Sequence, residues 1–256
     1  KRVPEPAARR TPRAVLCRAS IRNSLPEMVR VGTFLRGVAA IGILSASLHV
    51  GPVSAAGNSG KDVSSRRLQM PGERIRQRPQ IAIDAIQALS LIMRTENKED
   101  PTYLESRRVV SDAVAKRLSL NPTDLNRAWS RAPRDHQIAV LSALTQLGVP
   151  YIQGKEDSYV KMDCSGLLWF AWRTAGVDMP RQAVSQLDRR MRVDREDAIA
   201  GDVTGEGTHV QIYLGTGLAM IHAPFGGKLV KFKIMSAEQA ARVVWTNPSN
   251  IATFRL

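Results

Sequence analysis

Helical hydrophobic periods through residues 81 to 175, followed by two short alternating segments between Thr208 and His222, predict an α+β fold with helices packed on a small antiparallel sheet. A third observation marks where its chemistry lies. Cys164 is the only cysteine after Cys17, and it stands immediately before one of the helical periods. The 256 residues suit one compact domain with a flanking region, and a composition 43% hydrophobic and 23% charged excludes a chain disordered throughout.

Residues 1–55 read as an upstream extension and a secretory signal. Arg30 and Arg36 precede an apolar run from Gly37 to Val50, a break at Gly51-Pro52, and small residues at Val53 and Ala55 spaced as a signal peptidase site requires. Cleavage is expected after Ala55 or Ala56, with Met28 as the natural start of such a signal, so the protein is expected to be secreted or held in the cell envelope. Contact with the membrane is then transient, because the apolar run is short for a span; a retained N-terminal anchor is the competing expectation. The net charge of +14 partly belongs to this leader. Nine of the 37 Lys and Arg and two of the 23 acids lie in residues 1–55, leaving 28 basic against 21 acidic residues, a net +7. That balance, without an aromatic-basic platform, places nucleic-acid binding last among the functions considered.

Residues 56–80, rich in Ser, Gly, Arg and Gln with Pro71 and Pro79, read as a linker. Residues 81–134 form a helical accessory segment. Ile86, Leu89 and Met93 give the first apolar period, Val110, Val114 and Leu118 the second, and Asn121-Pro122 starts a third helix carrying Leu125, Ala128 and Trp129. The segment reads as a pro-segment, a docking module or a scaffold pad against the next domain; a helix of it lying over Cys164 would be inhibitory, and removing residues 57–130 would then raise activity. Asp135 is expected to cap a helix through Ile138, Leu141 and Leu144, closed by Gly148 and Pro150, which opens the domain of residues 135–256.

Met162-Asp163-Cys164-Ser165-Gly166 precedes a helix with Leu168, Ala171, Trp172 and Ala175 on one face and Gly176 at its end, so Cys164 sits at a helix N-terminus. Free amides and the positive dipole end are expected to lower the thiol pKa there, and the same amides suit an oxyanion. Thr208 to Gly215 and Leu218 to His222 read as a hairpin across Gly215-Thr216-Gly217, which brings His209 and His222 to one end. One imidazole then takes the thiol proton while the other orients it. One cysteine and two histidines without a further paired ligand match zinc poorly, and no cofactor is expected. His49 lies in the signal segment and His136 in a first helical turn, so neither is assigned chemistry.

In order, the segments Ala143 to Gly154, Asp163-Cys164-Ser165-Gly166-Leu167, Ala175-Gly176-Val177 with Met179-Pro180-Arg181, Ala200-Gly201-Asp202, His209 to Gly215, and Met220 to Pro224 resemble the NlpC-type peptidoglycan endopeptidases of the papain-like cysteine peptidase group. The resemblance covers about His136 to Phe232. It implies a small antiparallel sheet packed on helices, Cys164 as nucleophile, His209 as general base and then acid, and His222 as its orienter. Tyr151, Ser165 and Asp163 are implied at the oxyanion and substrate positions, and the implied substrate is a peptidoglycan stem peptide cut between D-glutamate and the following diamino acid. This chain departs from the family pattern at Gln153, Lys155, Ala200 and Gln211, and Val203 to Gly207 reads as a short or irregular strand. These departures motivate the competing expectation of a wall-binding module with a degraded cleft. A third expectation is amidase or acyl-transfer chemistry by the same thiol.

Overall fold

The computed structural model describes residues 78–253. The upstream extension, the signal segment and most of the expected linker lie outside them. The described residues all belong to one compact unit. Among them, no helix is long and apolar enough to cross a membrane.

Four helices lead into the sheet: α1 (Gln80–Arg94), α2 (Pro101–Leu118), α3 (Pro122–Arg131) and α4 (Arg134–Leu144). Their starts are written in the sequence. The Asp100 carboxylate accepts the Tyr103 N–H, and Asn121 accepts from Thr123 and Asp124, each beside a proline whose missing N–H costs a helix nothing in its first turn. The N-cap of α4 is Pro133, and Asp135 lies inside the first turn with its carboxylate on His136. That corrects the expected cap at Asp135. The apolar face of α1 is also corrected. Ala82, Ala85, Ala88 and Ile92 are fully buried while Met93 is half exposed, because alanines let α1 approach α2 and α4 closely.

Helix α4 is the axis of the domain. Every residue from His136 to Leu147 is buried, and α1 packs on one side of it while the next long helix, α5 (Cys164–Thr174), packs on another. A short hairpin, β1 (Glu156–Asp157) with β2 (Lys161–Met162), precedes α5. The main sheet contains β3 (Val203–Glu206), β4 (His209–Tyr213), β5 (Ala219–His222), β6 (Lys231–Ile234) and β7 (Val244–Thr246) in the antiparallel order β6-β5-β4-β3-β7. Far from irregular, β3 pairs over four residues with β4 and over three with β7. Gly205 makes this possible, since a Cβ there would stand 2.4 Å from the His209 carbonyl oxygen.

Alternation divides the sheet into two faces. Val203, Val210, Ile212, Ala219 and Ile221 enter the core shared with the helices. Met220, Trp245 and the partly buried Tyr213 face the other way, onto a smaller cluster closed by Met235 and by Ala240 of α6 (Ala237–Arg242).

The main core runs across residue 134 without a break. It unites Ala82, Tyr103 and Trp129 of the leading helices with Leu144, Leu167 and Ile221. Trp129 Nε1 donates to the Leu214 carbonyl at 2.8 Å, and Arg78, placed in the linker by the sequence, is tied to the carbonyls of Thr145 and Tyr159. Among the described residues, no hydrogen bond, ion pair or ring contact joins α1, α2 or α3 to Cys164, His209 or His222. Of the readings of residues 81–134, this shared core fits a scaffold pad for the domain.

Behind the sheet, His136 is fully buried and edge-on to Trp172, with Nδ1 2.9 Å from Asp135 and Nε2 3.1 Å from Asp202. Burial pulls its pKa down, but the two carboxylates overcome this and raise it to about 9 from an ordinary 6.5. Asp135 also reaches Ser249, so this imidazolium links α4, the start of β3 and the C-terminal segment. A raised histidine pKa stabilises the fold fully below about 6.5 and loses that contribution as the pH rises through about 9, a loss of at most about 3 kcal/mol. Urea unfolding at pH 7 and pH 10 is expected to show this loss in the wild-type chain and less of it in Asp202→Asn; equal pH dependence in both would refute the linkage. Deleting residues 80–131 strips the cover from α4, so that variant is expected to lose its cooperative thermal transition, as calorimetry would show.

Candidate active site

Cys164 is the first residue of α5, as its position before the apolar period required, and Asp163 is the N-cap. The Asp163 Oδ1 accepts the Gly166 N–H at 2.6 Å and the Arg181 Nη1 at 3.0 Å, while Oδ2 accepts the Gly154 N–H at 2.7 Å and the Arg181 Nη2 at 3.0 Å. Burial alone would raise the Asp163 pKa, but Arg181 and these amides hold it below the usual carboxylate value. The carboxylate is therefore occupied in building the site. Ser165 belongs to the same clamp, its hydroxyl donating to Asp163 and accepting from Arg181 Nη1 at 2.8 Å. Arg181 also reaches Glu156 at 3.0 Å, which fastens the β1–β2 hairpin to the helix start. Gly166 permits this approach, because a Cβ there would meet the Lys155 carbonyl oxygen at 2.3 Å.

Cys164 is free and only 4% exposed. Its thiol donates to the Thr208 carbonyl at 3.5 Å, and the N–H groups of Val210, Ser165 and Cys164 point to the sulfur. Burial nevertheless pushes the thiol pKa above its ordinary value, and the amides only oppose it. This corrects the expectation that the helix end would lower it: the sulfur lies too deep for the local dipoles to offset its desolvation.

Thr208 and Val210 bracket His209, so the sulfur meets β4 at the residue that carries the imidazole. The hairpin places the two histidines as expected, with His209 Nε2 3.2 Å from His222 Nδ1 and the rings 5.4 Å apart and nearly perpendicular. His209 Nδ1 is buried with no partner. For Nδ1 to accept a proton, His209 must carry its hydrogen on Nε2 and donate it to His222 Nδ1, which puts the His222 hydrogen on Nε2. Burial lowers both pKa values. Lys233 adds to the effect at His209, and at His222 the neighbouring His209, Lys233, Lys231 and Lys228 bring it down to about 4.

Tyr151 lies across the thiol, its backbone N–H donating to Lys228 at 2.7 Å and its ring 5.2 Å from Phe225. Burial, Cys164 and Asp163 together raise its pKa, so it stays a neutral phenol. Phe225 also lies 5.5 Å from the His209 ring and roofs both sides of the cleft, although nothing in its sequence context marks it out. Arg181 stands 18 residues from Asp163 in the chain, and only the fold reveals that it holds that carboxylate. Gln153 and Lys155 are exposed on the turn after Tyr151, whereas Gln211 is buried. Among the described residues, no group of three or more His, Cys, Asp and Glu side chains is arranged to hold a metal ion.

Residues 148–247 match the model of the NlpC/P60 family. The chain is similar to the bifunctional muramidase/DL-endopeptidase CwlT of Bacillus subtilis, 34% identical over 90 residues, covering 32% of this chain and 27% of that protein. It is 33% identical over 93 residues to the gamma-D-glutamyl-L-lysine dipeptidyl-peptidase of the same organism, covering 33% of this chain and 31% of that one. To the peptidoglycan endopeptidase RipB of Mycobacterium tuberculosis it is 29% identical over 137 residues, covering 45% of this chain and 57% of the relative. The chain thus spans between about a quarter and somewhat over half of these relatives' lengths. With the cysteine at a capped helix start and a histidine pair at the hairpin end, all inside the matched residues, this chain carries an NlpC/P60 domain at residues 148–247.

Proposed function

We propose that this chain is an exported cysteine peptidase that hydrolyses stem-peptide amide bonds of bacterial peptidoglycan, between D-glutamate and the following diamino acid. The observation that carries it is a buried thiol set on the backbone of Thr208, next in the chain to His209, whose imidazole has one nitrogen without a partner and the other held by a second histidine. Relatives named DL-endopeptidase and gamma-D-glutamyl-L-lysine dipeptidyl-peptidase support the substrate class. Export rests on the order of basic, apolar and small residues from Arg30 to Ala56.

In the resting state both partners are neutral. His209 Nδ1 takes the Cys164 proton as the sulfur attacks the amide carbon, and the C=O electrons move onto oxygen. The amides around the sulfur and the Tyr151 hydroxyl stabilise that oxyanion. His209 returns the proton to the departing amine as the C–N bond breaks. Water, deprotonated by His209, then attacks the acyl carbon, and as the C–S bond breaks His209 returns that proton to the sulfur, restoring the neutral pair. The buried imidazolium formed in each half-reaction is held through Nε2–H by His222.

A second reading, a wall-binding module of the same fold, is favoured by one observation: the thiol proton is directed to Thr208 instead of the imidazole. Digestion of purified peptidoglycan separates the two. The chain from Ala56 onward is expected to release fragments cut within the stem peptide, identified by mass spectrometry, and Cys164→Ala none. Retention on the wall without products from either would favour the binding module. The base must be neutral, and burial with Lys233 lowers the His209 pKa from 6.5. The acid limb of kcat/KM is therefore expected below pH 6.5 and should move upward in Lys233→Gln; a limb at or above 6.5 in the wild type would exclude His209 as a base of lowered pKa.

A further inference from the structure

Four buried polar atoms without partners lie on one face of three adjacent strands: His209 Nδ1 and Gln211 Oε1 on β4, His222 Nε2 on β5, and Thr204 Oγ1 on β3. The mechanism uses only the first. Thr204 stands directly opposite Gln211 in the β3–β4 pairing. Ile212 pairs with Ile221 between β4 and β5, so one step along the antiparallel register Gln211 stands opposite His222. Side chains opposed in this way have Cβ atoms about 5 Å apart on one face. Gln211 is 1% exposed and its Nε2 donates to the Met235 sulfur at 3.3 Å, which fixes one end of the carboxamide and leaves the carbonyl oxygen.

The unpartnered groups are chemically complementary. His209 can act as base through Nδ1 only if His222 carries its hydrogen on Nε2, so His222 needs an acceptor there. Gln211 Oε1 has two lone pairs and the Thr204 hydroxyl has one hydrogen to give. Around the histidine pair, Lys228, Lys231 and Lys233 offer only donors. Glu206, opposite His209 on β3, is exposed, and the Asp163 carboxylate is filled by Arg181 and two amides. We propose, on the reading of the site given above, that Gln211 is a positioning residue for His222: its carboxamide oxygen receives the His222 Nε2–H, and the Thr204 hydroxyl takes its second lone pair. One shared water, with these three groups as its partners, is the ordinary bridge for atoms standing farther apart than a direct hydrogen bond. The relay behind Cys164 then runs His209, His222, Gln211, Thr204, and the buried polar side chain of Gln211 becomes part of the machinery.

The test is a pH titration of the imidazole nitrogens by 15N–1H NMR on the full chain, which needs no substrate, beside kcat, KM and thermal melting. In the wild type at neutral pH, His209 and His222 are expected in the Nε2–H form, with the His222 hydrogen protected from exchange. Gln211→Met keeps the side-chain length and the contact with Met235. It is expected to mix the His222 tautomers, speed exchange of that hydrogen, and lower kcat about tenfold with KM unchanged. Gln211→Glu places a carboxylate at Nε2, so both histidines should titrate at higher pH and the acid limb of kcat/KM should rise with them. If Gln211→Met does not fold, Gln211→Glu and Thr204→Val supply the same readouts. Wild-type tautomers, exchange and titration in the folded variants would overturn the proposal, even if their melting temperatures fall. Should the wild type cut no muropeptide while the NMR changes appear, the positioning role stands and the peptidase reading falls.

Discussion

The Asp163 carboxylate is the constraint on which the site depends. Its two oxygens gather the start of α5, the turn at Gly154 and the guanidinium of Arg181, which itself reaches Glu156. Such a carboxylate, ion-paired, capping and low in pKa, fixes three chain segments within hydrogen-bond distance of one another. Cys164 is the next residue, so the sulfur inherits that position. The close packing of Gly166 against Lys155 belongs to the same arrangement, since the helix start approaches the turn backbone only where a Cβ is missing.

Placement of the histidines follows from different physics. The alternating faces of β4 and β5 send Val210, Ile212 and Ile221 into the helical core and leave His209, Gln211 and His222 on the opposite side, where α6 and Met235 close a second cluster. The sheet packs through β4 on α5, α5 packs on α4, and α4 is covered by α1 and tied to α2 by Tyr103 and Arg107 on Gln137, so among the described residues the helical segment before the domain supports the site from behind. His136, charged between Asp135 and Asp202 and edge-on to Trp172 of α5, is a polar pin in the same support.

The electrostatics favour a neutral resting pair. Burial raises the thiol and lowers both imidazoles, and three lysines on the β6 side deepen the effect at His222. A thiolate–imidazolium pair formed in advance would have to overcome all these terms at once. Proton transfer concerted with attack avoids that, because the charges appear only as the substrate oxygen becomes an anion among the amides at the α5 start.

What the sequence determined by itself is what depends on local chemistry and periodicity. The α+β order, the helix starts at Asp100 and Asn121, Cys164 at the head of α5 and the hairpin joining His209 to His222 are all legible, because caps, prolines, glycine turns and apolar spacing act over a few residues. Four features were decided by tertiary structure. The alanine face of α1 depends on how closely neighbouring helices approach. Formation of β3 depends on β4 and β7 pairing on either side of it. The direction of the Cys164 pKa shift depends on depth of burial, which outweighs the helix dipole. The roles of Arg181, Phe225 and Gln211 depend on partners 18, 16 or more and 11 residues away in sequence, brought together only when the core closes. Spacing along the chain carries no record of such contacts, because the energy that selects them comes from surfaces that meet after the chain has folded.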